Sequence, residues 1–146
     1  MEKPFVLLAD DNEGTRTLIR ALLKPEFEVE VATDGQEAIE RLKSRRYAAI
    51  LLDLLMPVTD GFSVLDFLTA EHPELLTRVI VVTAVISERE LARVRTYSAG
   101  ALILKPFEID VLVATVRQIS GHDPLLPLPG TLLTTGMLLL LADLLR

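Results

Sequence analysis

The chain has 146 residues, enough for one ordinary domain, and half of them are hydrophobic, so a packed core is expected rather than disorder. Fifteen basic against 21 acidic residues give a formal charge of −6 with no basic stripe, which argues against direct nucleic-acid binding. The cysteine count is zero, which excludes disulfides, thiolate chemistry and Cys-based zinc sites. Met1-Glu2-Lys3-Pro4 runs straight into an apolar segment without a signal-peptide pattern, so a cytoplasmic location is expected.

Phe5 to Ala9 reads as a buried strand ending in the adjacent carboxylates Asp10 and Asp11, whose repulsion is costly unless a cation or an exposed surface compensates. Leu18, Ile19, Leu22 and Leu23 recur at helical spacing until Pro25 closes the helix. Phe27, Val29 and Val31 alternate with Glu28 and Glu30, the pattern of a half-exposed strand near a sheet edge. Asp34-Gly35 makes a turn. Ala38, Ile39 and Leu42 mark a second helix, with Glu40, Arg41, Lys43, Arg45 and Arg46 facing solvent. Ala48 to Leu52 is a continuous apolar run that stops at Asp53, with Pro57 four residues later. Such a run suits a strand buried on both faces of a parallel sheet, and its carboxyl end is where open α/β sheets place ligands.

Gly61 precedes a helix that buries Phe62, Leu65 and Leu68 and ends before Pro73. Residues 78–84 form another buried strand, closing on Thr83-Ala84. Ser87 with Glu90 resembles a capping box for a helix carrying Leu91 and Val94, which Gly100 ends. Ala101 to Leu104 is a short strand running into Lys105-Pro106, and the last regular helix carries Ile109, Leu112, Val113 and Val116. Five strands alternating with five helices predict a doubly wound α/β domain, its five-stranded parallel sheet ordered 2-1-3-4-5.

In such a sheet Asp10, Asp11, Asp53, Thr83 and Lys105 share one rim. Three carboxylates make a hard-oxygen site suited to Mg²⁺. One carboxylate can then act as nucleophile and form an aspartyl phosphate, with Lys105 supplying positive charge and Thr83 a hydrogen bond. The histidines, His72 next to Pro73 and His122 near Pro124, fall in loop-like, solvated stretches, and no Ser-His triad or Gly-rich phosphate loop is present.

These residues resemble the receiver domains of two-component response regulators, with their flavodoxin-like (CheY-like) sheet. The likeness covers about residues 4–120. It rests on Asp10-Asp11, on Asp53-Leu54-Leu55-Met56-Pro57 followed by Asp60-Gly61, on Thr83-Ala84 and on Lys105-Pro106-Phe107. It implies that Asp53 accepts a phosphoryl group from a histidine kinase or phosphotransfer protein. It also implies that Asp10, Asp11, Asp53 and the Leu55 carbonyl hold Mg²⁺ or Mn²⁺. Thr83 would be the switch hydroxyl, Lys105 the phosphate contact, and Lys105-Pro106 a cis bond. Catalysis would be confined to the protein's own phosphorylation and dephosphorylation, with signalling to a downstream protein partner.

Two departures stand out. Leu102 holds a position that is usually aromatic in the family. The positions two after Asp53 and two after Thr83, which flank the attacking water, are the apolar Leu55 and Val85, so a long-lived phosphoryl group is expected. A degenerate receiver acting as a phosphorylation-independent binding or dimerisation module is the alternative, and the intact set of five side chains speaks against it.

The receiver is expected over residues 1–120, a Pro/Gly-containing linker over 121–131, and an apolar tail over 132–146. The tail is too short and interrupted to span a bilayer comfortably, and an all-round apolar helix wants burial. It is expected to be a disordered end, the start of a further domain, or a docking or dimerisation helix, with a homodimer as one outcome and an interfacial membrane helix as the remaining alternative.

Overall fold

The computed structural model describes residues 2–84 and 87–121. Val85, His122 and the segment 122–146, with its expected linker and tail, lie outside the described residues. The chain alternates β1 (Phe5–Ala9), α1 (Glu13–Leu23), β2 (Glu28–Ala32), α2 (Gly35–Ser44), β3 (Ala49–Leu52) and α3 (Gly61–Glu71). It continues through β4 (Val79–Thr83), α4 (Glu88–Arg95), β5 (Ala101–Leu104) and α5 (Ile109–Ser120). The strands pair in parallel in the order β2-β1-β3-β4-β5, as the sequence pattern predicts.

The period-two alternation of side chains splits each central strand between two core layers. Leu7, Ile50, Leu52 and Val81 face α2 and α3, packing with Leu42, Leu65 and Leu68. Val6, Leu8, Leu51 and Val82 face α1 and α5, packing with Ile19, Leu23, Leu112 and Val116. Four helices begin on a side-chain cap: Asn12, Asp34, Asp60 and Ser87 accept from the backbone N–H of Thr15, Glu37, Ser63 and Glu90. Arg117 forks onto Glu26 at 2.9–3.1 Å, fastening the last turn of α5 beside the start of β2.

Several local expectations are corrected. Leu18 is 43% exposed, because it lies about 100° around the helix from Ile19, off the stripe centred on Ile19 and Leu23. Ile109, the first residue of α5, is likewise exposed, and Thr115 takes a buried place on that helix. Gly100 does not end α4, which stops at Arg95. It precedes β5, where a Cβ would sit 2.1 Å from the Thr77 carbonyl oxygen. A 3-10 turn, Pro73–Arg78, joins α3 to β4 and buries Leu75 and Leu76. His72 is only half exposed, with its ring edge against Phe67.

Arg41 and Arg45 are not simply solvated. Both pair with Glu30, at 3.3 and 2.9 Å, and the Arg45 guanidinium lies 3.7 Å over the Phe5 ring. Glu30 also accepts the Tyr47 hydroxyl at 2.7 Å, from a tyrosine whose ring is fully buried.

Burial, reinforced by the hydrogen bond to Glu30 and by its charge, holds the Tyr47 phenol well above its ordinary value of 10.0. Above about pH 10 the unfolded chain releases this proton while the folded chain keeps it, so stability falls as pH rises. Tyr47→Phe is expected to cost about 1 kcal/mol at neutral pH and to make the alkaline decline shallower. Urea unfolding across the alkaline range measures both.

Candidate functional site

Register brings the rim residues together. Ala9 pairs with Leu52, and the ladder runs one residue further, the Asp53 N–H donating to the Ala9 carbonyl at 2.9 Å. The Asp10 N–H donates to the Ala32 carbonyl at 3.1 Å, and the Lys105 N–H to the Thr83 carbonyl at 2.7 Å. Asp10, Asp53, Thr83 and Lys105 therefore occupy equivalent positions at the ends of four neighbouring strands or just beyond them. Asp10 and Asp53 are buried, only 2% and 5% exposed, and Thr83 is wholly buried, whereas Asp11 is open to solvent.

Buried carboxylates need partners, and each oxygen here has one or more. Asp53 Oδ1 accepts the Thr83 hydroxyl at 3.0 Å and the Leu55 N–H at 3.1 Å, and its Oδ2 accepts Lys105 Nζ at 3.1 Å. Asp10 Oδ1 accepts the Asn12 N–H at 2.8 Å, and its Oδ2 accepts Lys105 Nζ at 2.7 Å. Burial on its own would lower the Lys105 pKa. The hydrogen bond to Asp10 and the charges of Asp10 and Asp53 outweigh it and hold the ammonium above its usual value. Lys105 is thus charged throughout the neutral range.

One ammonium does not offset three carboxylates. Asp10, Asp11 and Asp53 each offer an oxygen, and these atoms lie within 4.8 Å of one another. All-oxygen donors of this charge fit a hard divalent cation such as Mg²⁺. Leu55 sits beside them by its backbone, since its N–H reaches Asp53, while its side chain is half exposed. The Lys105-Pro106 bond is cis. Leu102 stands apart from the rim, partly exposed on β5.

Two residues of this neighbourhood escaped the sequence reading. Asn12 caps α1 and donates its N–H to Asp10, and Arg16 donates to the Asp10 carbonyl at 2.9 Å. An Asn immediately before a helical pattern is a helix-start signal and was the available clue.

The loop after β3 is clamped by close backbone approach. A Cβ on Gly61 would sit 2.3 Å from the Asp53 carbonyl, and one on Gly35 would sit 2.3 Å from that of Thr59. Between these clamps Val58 takes φ 65° while 89% exposed, a costly conformation for a β-branched residue.

A sequence model of the response regulator receiver domain matches residues 6–117. The chain belongs to this family. The receiver is 38% identical over 117 residues to Transcriptional regulatory protein SrrA of Staphylococcus aureus (strain NCTC 8325 / PS 47), over 78% of this chain and 46% of that protein. It therefore spans somewhat under half the length of that curated relative. Among solved structures, the Francisella response regulator 1452 receiver domain matches with TM-score 0.72 and 29% identity, over 81% of this chain and 97% of that one. The receiver domain of sensor histidine kinase PA1611 from Pseudomonas aeruginosa PAO1, which has a magnesium ion in its active site cleft, matches with TM-score 0.74 and 26% identity. That match covers 82% of this chain and 99% of that one.

The strain at Val58 is open to direct measurement. A left-handed conformation costs an ordinary residue roughly 1–2 kcal/mol, and Asn tolerates it better. Val58→Asn should therefore raise the stability of the receiver by about 1 kcal/mol in denaturant unfolding, with almost no buried contact to lose.

Proposed function

We propose that the receiver is a phosphorylation-driven switch with Asp53 as the phosphoacceptor. The observation that carries this reading is the pair of contacts on Asp53: the Thr83 hydroxyl on one oxygen and the Lys105 ammonium on the other. The donor is a phosphohistidine on a histidine kinase or phosphotransfer protein. An Asp53 oxygen forms a bond to phosphorus as the phosphorus–nitrogen bond breaks, and the imidazole leaves with the electron pair. Lys105 and Thr83 then have phosphoryl oxygens to contact in place of the bare carboxylate. Phosphoryl transfer asks mainly for such positioning and charge.

Asp10, Asp11 and Asp53, with the Leu55 carbonyl, would hold Mg²⁺ or Mn²⁺, which supplies charge to offset the carboxylates and the phosphoryl oxygens. The chemistry ends on the protein's own side chain. Turnover of an external phosphate ester by this class of nucleophile needs an acid two residues further on to protonate the leaving group, and Leu55 stands there.

We assign the output to a protein partner. SrrA is by name a transcriptional regulator, and this chain, which is acidic, spans under half of it. Among the described residues no helix is long and apolar enough to cross a membrane.

Incubation with a small acyl phosphate and Mg²⁺, followed by intact-mass measurement, tests the acceptor. The wild-type chain should gain a single phosphoryl group and Asp53→Asn none. Undiminished labelling of that variant would refute the assignment. The metal is tested at the exposed Asp11, whose removal should leave the fold intact. Asp11→Ala should weaken Mn²⁺ binding roughly tenfold, the worth of one nearby charge in a partly screened site, and slow phosphorylation with it. Wild-type affinity in that variant would show the cation to be held elsewhere.

A further inference from the structure

The two edges of the sheet are finished differently. At one edge, β2 sets Glu28 and Glu30 in alternation with Val29 and Val31. At the other, β5 buries Ile103 while its alternate residues, Leu102 and Leu104, are 37% and 44% exposed. The eight-residue α4 commits only Val94 to the core and leaves both leucines partly exposed. A cleft runs here between α4, β5 and α5, lined by Leu91, Leu102, Leu104, Phe107 and Val111, with Arg95 and Glu108 as its charged lining residues. Covering this apolar surface with a further apolar segment would be favourable.

The same chain carries a segment of matching chemistry. Residues 132–145 contain eight leucines and Met137 with a single charge, Asp143, so their chemistry matches the cleft's apolar lining. Reach is sufficient. The eleven steps from Gly121 to Leu132 extend to about 36–40 Å, whereas the twelve residues of α5 run only about 18 Å back towards Val111. A connector this short also gives the attached segment a millimolar-range effective concentration, ahead of any second copy at ordinary protein concentration.

We propose that residues 132–145 seat in this cleft in cis, covering Leu102 and Leu104. The receiver thereby shields its own α4–β5–α5 face, and any partner of that face must displace the segment. This inference does not depend on phosphorylation at Asp53.

The lack of cysteine makes the test clean. In the full chain, Thr135→Cys carries a nitroxide, and amide spectra report which residues it broadens. Broadening should fall on Leu102, Leu104 and Val111 and should vanish when Leu102→Glu and Leu104→Glu are added, with the signals of β1 and β3 unmoved. Spin-labelled chain without isotope, mixed with isotope-labelled chain without nitroxide, should give no broadening at this face. No broadening of these amides in the first sample, unchanged broadening in the glutamate variant, or broadening in the mixed sample would each overturn docking in cis.

Discussion

The ammonium of Lys105, set between the carboxylates of Asp10 and Asp53 at 2.7 and 3.1 Å, is the interaction on which the site depends. Two carboxylates almost out of contact with water are tolerable only when paired and hydrogen-bonded. Three different strand ends must therefore meet to within a hydrogen bond, which makes the parallel register of β1, β3, β4 and β5 a condition of the chemistry. A slip of one residue in any pair would send Asp53 or Thr83 to the wrong place and expose a strand's apolar set. The core thus does two jobs with one set of contacts: it stabilises the sheet and it fixes the rim.

What the core does not fix, backbone contacts do. Gly61 lies against the Asp53 carbonyl and Gly35 against that of Thr59, so the loop after β3 is held at both ends. The loop then crosses between these points with Val58 in a left-handed conformation. Strain of this kind persists only where the surroundings over-determine the backbone. Here they keep the Leu55 N–H on Asp53, where the peptide can take part in the site.

Charge is distributed unevenly over the molecule. Glu30 gathers Arg41, Arg45 and Tyr47 into one polar cluster at the β2 side, and Arg93 lies 4.0 Å over the Phe62 ring between α3 and α4. These contacts close the surface around most of the sheet. The β5 edge lacks an equivalent among the described residues. Its open leucines follow from a short α4 and a strand with one buried residue.

The sequence by itself determined the element order, the sheet topology and the membership of the rim. Buried parallel strands write themselves as unbroken apolar runs, and reactive residues at the ends of such runs can only fall on one edge. Asp10, Asp11, Asp53, Thr83 and Lys105 were legible for that reason. Tertiary structure decided what depends on approach between segments distant along the chain: the two-carboxylate grip of Lys105, the buried Tyr47 on Glu30, and Gly100 against Thr77 rather than at a helix end. It decided exposure as well. Leu18, Leu104 and Ile109 are as apolar as their buried neighbours, and periodicity sets the direction of a side chain but not whether another element arrives to cover it. That depends on the lengths and crossing of helices, which no local pattern records.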